Sequence, residues 1–200
     1  MQNFKTFVNN QKTAVFTYGR FNPPTIGHAK LFNKLAELSD KFNTTGVIVP
    51  SHTVNNKKDP LEYNEKVKII KEMIADEPRL IINGNGDTLI HILQELQNRG
   101  YTNIIQLAGD DRIDDYKNLV NRLNGKPDKS GNIPFQFENY QVESAGFRDP
   151  DSEGTEGMSA SKLREFAINS NLGSFINGMS KKVNKQTAIN AYNLIRTRLK

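Results

Sequence analysis

Two stretches concentrate the residues able to do chemistry: TAVFTYGRFNPPTIGHAKLF at residues 13–32 and SAGFRDPDSEGTEGMSASKLREF at residues 144–166. In the first, an apolar run stops at Gly19, crosses Pro23 and Pro24, and enters a helical pattern that carries His28. Unpaired N–H groups at a helix start attract anions, and His28, about one turn inside, would face the same ligand. The second stretch sets the hydroxyls of Ser159 and Ser161 and the guanidinium of Arg164 at the start of another helix. Imidazole, hydroxyl, guanidinium and helix N-terminus are all groups that hold phosphate. A third cluster, AGDDRIDDY, puts Gly109, Asp111 and Arg112 just beyond an apolar run.

The elements needed to position these groups can be read from periodicity. Apolar runs at Ala14–Tyr18, Gly46–Val49, Arg79–Ile82 and Asn103–Leu107 fit buried strands, and Phe135–Val142 fits a fifth, partly alternating and so nearer a sheet edge. Helical spacing follows each of the first four. Leu31, Phe32, Leu35, Leu38 and Phe42 share one face of a helix starting near Thr25 or Ile26. Val67, Ile70 and Ile74 mark a second helix. A third carries Leu89, Ile92, Leu93 and Leu96, is capped by Asp87 or Thr88, ends at Gly100, and packs His91 in its apolar stretch. Tyr116, Leu119, Val120 and Leu123 mark a fourth. Strands alternating with helices predict a doubly wound parallel α/β sheet, whose ligands sit beyond the carboxyl ends of the strands. Residues 1–12 read as a lead-in. A last helix, with the stripe Ala188, Ala191, Tyr192, Ile195 and Leu199, suits either docking or an oligomer contact.

Composition narrows the functional classes. At 200 residues the chain suits one domain, residues 1–200, with residues 174–200 as a C-terminal helical extension. A hydrophobic fraction of 36% and a mean hydropathy of -0.62 describe a polar globular chain with no stretch as long as a membrane span. Without cysteine there is no disulfide, thiolate metal site or thiol nucleophile. His28, His52 and His91 are too scattered to suggest a metal site. No signal-peptide pattern is present, so a cytoplasmic location is expected. Net charge +5 and pI near 9.3 favour an anionic partner. Lys181, Lys182, Lys185, Arg196, Arg198 and Lys200 make the C-terminus basic, yet no dense basic run interleaved with aromatics points to nucleic acid.

GRFNPPTIGH resembles the first signature of the nucleotidyltransferase superfamily, GxFxPxHxGH or GxFxPxTxGH, with Gly19, Phe21, Pro23, Thr25, Gly27 and His28 in register. Thr25 is similar to the form found in pantetheine-phosphate adenylyltransferases, and Arg20 to that of nicotinamide-mononucleotide adenylyltransferases. MSASKLR resembles the superfamily's ISxTxxR motif, with Met158 for Ile, Ser161 for Thr, and Ser159 and Arg164 retained. GDTL is similar to the DTL element of nicotinate-mononucleotide adenylyltransferases, though capping alone would explain it. Gly109 and Asp111 resemble the superfamily's GxD element, although those carboxylates could equally cap the next helix. TEGMS is similar to the TEGIS segment of cytidylyltransferases, but Gly154 stands where an Arg usually precedes it. The HIGH and KMSKS pair of class I aminoacyl-tRNA synthetases is a more distant echo, and such enzymes need a tRNA-binding module for which 200 residues leave little room.

The resemblance spans residues 13–170 and implies a Rossmann-like nucleotidyltransferase fold. It implies transfer of a nucleoside monophosphate, AMP from ATP in the first reading and CMP from CTP in the alternative, to an acceptor phosphate. His28, Thr25, Arg164 and one of Lys57 and Lys58 would act on the reacting phosphates, although the two lysines could equally be solvated. Gly19, Arg20, Phe21, Gly109, Asp111, Arg112, Met158, Ser159 and Ser161 would join them around the nucleotide. Mg²⁺ would arrive with the triphosphate rather than at a protein metal site. The expected partners are a nucleoside triphosphate and a phosphorylated small molecule. A protein that only binds nucleotide or nucleic acid is the alternative of another class.

Overall fold

The structure, a computed structural model, describes residues 12–84, 88–146 and 158–199. Asp87, the lead-in before residue 12, and residues 154–157 around TEGMS lie outside the described residues.

Five strands form one parallel sheet in the order β3-β2-β1-β4-β5. They are β1 (Thr13–Gly19), β2 (Gly46–Pro50), β3 (Leu80–Ile82), β4 (Asn103–Ala108) and β5 (Asn139–Ser144). Helices α1 (Ile26–Lys41), α2 (Tyr63–Met73), α3 (Leu89–Asn98) and α4 (Asp110–Leu123) alternate with them, and α5 (Ala160–Ile168), α6 (Leu172–Asn177) and α7 (Lys185–Arg198) follow. The chain winds outward from β1 to β3, then crosses back to place β4 on the other side of β1. That reversal opens a crevice between β1 and β4, where parallel α/β sheets bind ligands.

Strand alternation divides the core in two. Val15, Ile48, Ile105 and Leu107 face α1, α2 and the three C-terminal helices, whereas Ala14, Phe16, Val49 and Ile104 face α3 and α4. Ala188, Ala191, Tyr192 and Ile195 are buried within the first of these cores. The stripe on α7 is therefore spent on docking to its own chain, the first of the two uses expected for it. Tight packing also explains Gly46 at the start of β2, where a Cβ would come within 2.3 Å of Ser39 Oγ and 2.6 Å of a Leu80 methyl.

Four expectations need correction. The fifth strand is Asn139–Ser144 rather than Phe135–Val142. Phe135 and Phe137 are buried by a loop whose Phe137 backbone is gripped at both N and O by the Asn124 side chain, so their alternation reflects a plug under the sheet. His91 is exposed, because it lies roughly 200° around α3 from Leu89, away from the buried face. Phe42 is the C-cap of α1 and 37% exposed. On α2 the inward face is Lys66, Ile69, Ile70 and Met73, with Val67 only partly covered. Among the described residues, no helix is long and apolar enough to cross a membrane.

Candidate active site

A cleft of about 700 Å³ lies over the carboxyl ends of β1, β2, β4 and β5, and its walls hold most of the residues singled out from the sequence. Gly19, Arg20, Phe21, His28, Gly109, Asp111, Arg112, Ser159, Ser161 and Arg164 all line it.

The first signature works by packing. Phe21 has φ 46°, a left-handed conformation that strains a bulky residue by about 1–3 kcal/mol. Its ring is 4% exposed and meets His28 and Phe32 edge to face, at 5.0 and 5.5 Å between centroids. Burial of such a ring is worth about 2–3 kcal/mol, enough to offset the strain. The folded-back ring also accounts for Gly19, where a Cβ would lie 2.9 Å from it.

Thr25 caps α1 and is fully buried. Its side chain accepts from His28 N at 3.4 Å, and its own backbone N–H donates to His28 Nδ1 at 2.9 Å. This capping box decides the histidine's chemistry. Because Nδ1 accepts from an amide, the proton of the neutral ring sits on Nε2, and the imidazole lining the cleft is a hydrogen-bond donor there.

The second signature is joined to the first directly. Thr25 Oγ1 donates to Met158 O at 3.5 Å, and a Cβ on Gly27 would meet that same carbonyl at 3.2 Å. Gly27 thus allows the starts of α1 and α5 to approach one another. Ser159 caps α5, accepting from Lys162 N at 2.9 Å. Arg164 donates to Asn22 O at 2.6 Å and to Ser161 Oγ at 2.9 Å, which aims its guanidinium along the cleft wall. Burial lowers the Arg164 pKa, Asp59 opposes that shift, and the like charge of Arg20 adds to it.

Gly109 caps α4 without a side-chain bond, leaving the helix N-terminus to the cleft. Arg112 pairs with Asp115 at 3.2 Å and lies 5.5 Å from the centre of the Tyr116 ring. The N-termini of α1, α4 and α5 thus meet around one space.

Four predicted residues stand apart from this lining. Thr25 and Met158 are buried behind the wall, holding the two signatures together. Lys57 and Lys58 are exposed on a turn whose backbone is pinned by Asn55 Oδ1, and neither lines the cleft.

Sequence reasoning missed the wall at the end of β2. Ser51 is 1% exposed, its Oγ has no protein partner, and its carbonyl accepts from the fully buried Lys66 Nζ. Asp59, 2% exposed, pairs with Arg20 at 3.4 Å. Burial lowers the Lys66 pKa to about 8, an effect that Asp59 opposes. The one available signal was position, since Ser51 directly follows a strand's carboxyl end.

The cytidylyltransferase-like family model matches residues 16–166, three quarters of the chain, from within β1 to within α5. The chain belongs to the cytidylyltransferase-like family. This places it in the nucleotidyltransferase superfamily, as its two signatures suggested. Among solved structures, this family member is similar to the nicotinic acid mononucleotide adenylyltransferase of Plasmodium falciparum, seen complexed with NaAD (TM-score 0.61) and with APC (TM-score 0.60). Each shares 16% identity and covers 92% of this chain and 98% of the other. It is also similar to a structure assigned to a nicotinate-nucleotide adenylyltransferase of Vibrio parahaemolyticus, at TM-score 0.58 and 13% identity, covering 90% of this chain and 98% of that one. At these identities the likeness is one of fold. No curated protein matches the sequence significantly.

Proposed function

We propose that the protein is an adenylyltransferase that moves AMP from ATP to the phosphate of a small-molecule acceptor. The observation that carries this reading is the meeting of three helix N-termini, the His28 donor and Arg164 around one cleft. An acceptor phosphate oxygen forms a bond to the α-phosphorus, the bond from that phosphorus to the bridging oxygen breaks, and pyrophosphate leaves with the electron pair. No protein nucleophile takes part. The chain's contribution is positioning and charge stabilisation.

His28 Nε2–H donates to an α-phosphate oxygen as charge develops there. Arg164, Ser161 and the α5 N-terminus hold the β- and γ-phosphates. Gly109, Asp111 and Arg112, at the ends of β4 and α4, serve the nucleotide. Across His28, the wall of Arg20, Ser51, Thr53 and Asp59 at the end of β2 receives the acceptor. Lys57 and Lys58 contribute no more than long-range charge from outside the cleft.

The carboxylates of Asp59 and Asp111 both line the cleft. Mg²⁺ carried in on the triphosphate would neutralise phosphate charge there.

The adenylyltransferase neighbours, and the resemblance of Arg20, the DTL and GxD elements and Arg164 to adenylyltransferase motifs, favour ATP over CTP. The family's own description and TEGMS supply the competing cue. Pyrophosphate release should be measured with each nucleoside triphosphate and Mg²⁺ across a panel of acceptor phosphates. ATP should be preferred by a wide margin, because a base edge left unpaired in a formed pocket is strongly rejected. Faster turnover with CTP for any acceptor would overturn the adenylyl assignment, and binding without any turnover would reduce the protein to a nucleotide-binding module.

A further inference from the structure

Residues 59–66 connect the acceptor wall to a distant part of the chain. At one end of this segment Asp59 accepts from Asn55 Nδ2 at 2.7 Å and holds Arg20. At the other end Lys66 holds the Ser51 carbonyl. Between them Leu61, fully buried, is gripped from the cleft loop by Asn22. The Asn22 amide donates to Leu61 O and its carbonyl accepts from Leu61 N, both at 2.9 Å.

The opposite side of the segment is held by one guanidinium, that of Arg198 in the last turn of α7. Arg198 Nη1 donates to Pro60 O at 2.8 Å and to Glu65 Oε2 at 2.6 Å, while Nη2 donates to Glu65 Oε1 at 3.0 Å. Glu62 lies 3.7 Å away. Pro60 directly follows Asp59, and Glu65 directly precedes Lys66. A single side chain therefore ties down the immediate neighbours of Asp59 and Lys66, which hold Arg20 and Ser51 of the acceptor wall. The two-pronged contact with Glu65 fixes direction as well as distance, which a lysine's point charge would not do. Glu65 also accepts from Glu62 N at 2.8 Å, so the same carboxylate secures the start of α2. Arg198 lies well past residue 166, where the family match ends.

We propose that Arg198 is a positioning residue for the acceptor half of the cleft, acting through Pro60 and Glu65 on Asp59 and Lys66, and through these on Arg20 and Ser51. The assignment rests on the adenylyl-transfer reading above.

The test uses the full chain and steady-state pyrophosphate release, varying ATP and acceptor separately for wild type, Arg198→Met, Arg198→Lys and Glu65→Gln. A wall displaced by a fraction of an ångström should raise the acceptor KM by about tenfold or more in Arg198→Met, with the ATP KM changed by less than about twofold. Arg198→Lys keeps the charge but not the fork, and should still show most of that rise. Arg198→Met combined with Glu65→Gln should be little worse than either alone, as expected for two residues acting as one unit. Amide hydrogen exchange over residues 59–66 should quicken in every variant. An unchanged acceptor KM, equal changes in both KM values, or unaltered exchange over 59–66 would overturn the assignment while leaving adenylyl transfer intact. Absence of pyrophosphate release from the wild type with every acceptor would instead bring down the adenylyl reading, and this inference with it.

Discussion

Lys66 should make stability rise with pH through a range in which most proteins are indifferent. Its side chain has no exposed surface, and burial lowers its pKa from the ordinary 10.5 to about 8 despite the nearby Asp59 carboxylate. The folded chain therefore holds this proton less tightly than the unfolded chain. Unfolding takes up a proton between about pH 8 and about pH 10.5, so stability increases across that window and is lowest when Lys66 is fully charged. At about 1.4 kcal/mol per unit of pKa, the charged lysine costs the fold about 3 kcal/mol relative to the neutral amine. Between about pH 7.5 and about pH 9.5, roughly 2 kcal/mol of that cost should be relieved. Lys66→Met removes the titrating group while keeping most of the volume. Urea unfolding of both proteins at a series of pH values gives the difference, in which the other titrating groups cancel. That subtraction matters because burial raises the pKa of Tyr63, Tyr116 and Tyr140, and each tends to lower stability above about pH 10. The wild type should gain about 2 kcal/mol on the variant over the interval. Stability curves that stay parallel would show that the Lys66 ammonium is solvated, and the account of the β2 wall would fail with it.

Two further substitutions probe the phosphate side. His28→Ala should cut turnover by roughly a hundredfold while leaving ATP affinity nearly unchanged, since the Nε2–H donor acts on charge that develops at the α-phosphate; near-normal turnover would refute that role. Arg164→Ala should weaken ATP binding, measured by calorimetry, more than AMP binding, because it removes charge-assisted hydrogen bonds to the β- and γ-phosphates; equal weakening of both would place Arg164 elsewhere.

The proposed nucleotide side of the cleft was legible in the sequence because its parts are local. Gly19 to His28 is one strand end, one turn and the first turn of one helix, so residue types and spacing report the geometry directly. The second signature is likewise a cap and a helix start. What remained hidden was the reason for each type: Gly19 yields to a ring two residues on, and Gly27 yields to the Met158 carbonyl from the far end of the chain. The fifth strand was misplaced for a related reason. Phe135 and Phe137 are buried like strand residues but belong to a loop, and periodicity records burial rather than ladder bonding.

The proposed acceptor side was illegible because its decisive contacts are not local. Arg20 meets Asp59 and Asn22 meets Leu61 across 39 residues, and Arg198 meets Glu65 across 133. Lys66 sits in the string NEKVK, which reads as a solvated helix face until the fold closes over it. This asymmetry follows from the chemistry. A triphosphate can be held by backbone N–H groups at helix starts, and short signatures suffice to build those. On the proposed reading, an acceptor is told apart from other phosphates by side chains brought in from β2, α2 and α7, so its identity would be written in tertiary contacts. The two halves should therefore respond differently to mutation: changes at His28, Ser161 or Arg164 should affect every acceptor alike, whereas changes at Asp59, Glu65 or Arg198 should alter the ranking among acceptors.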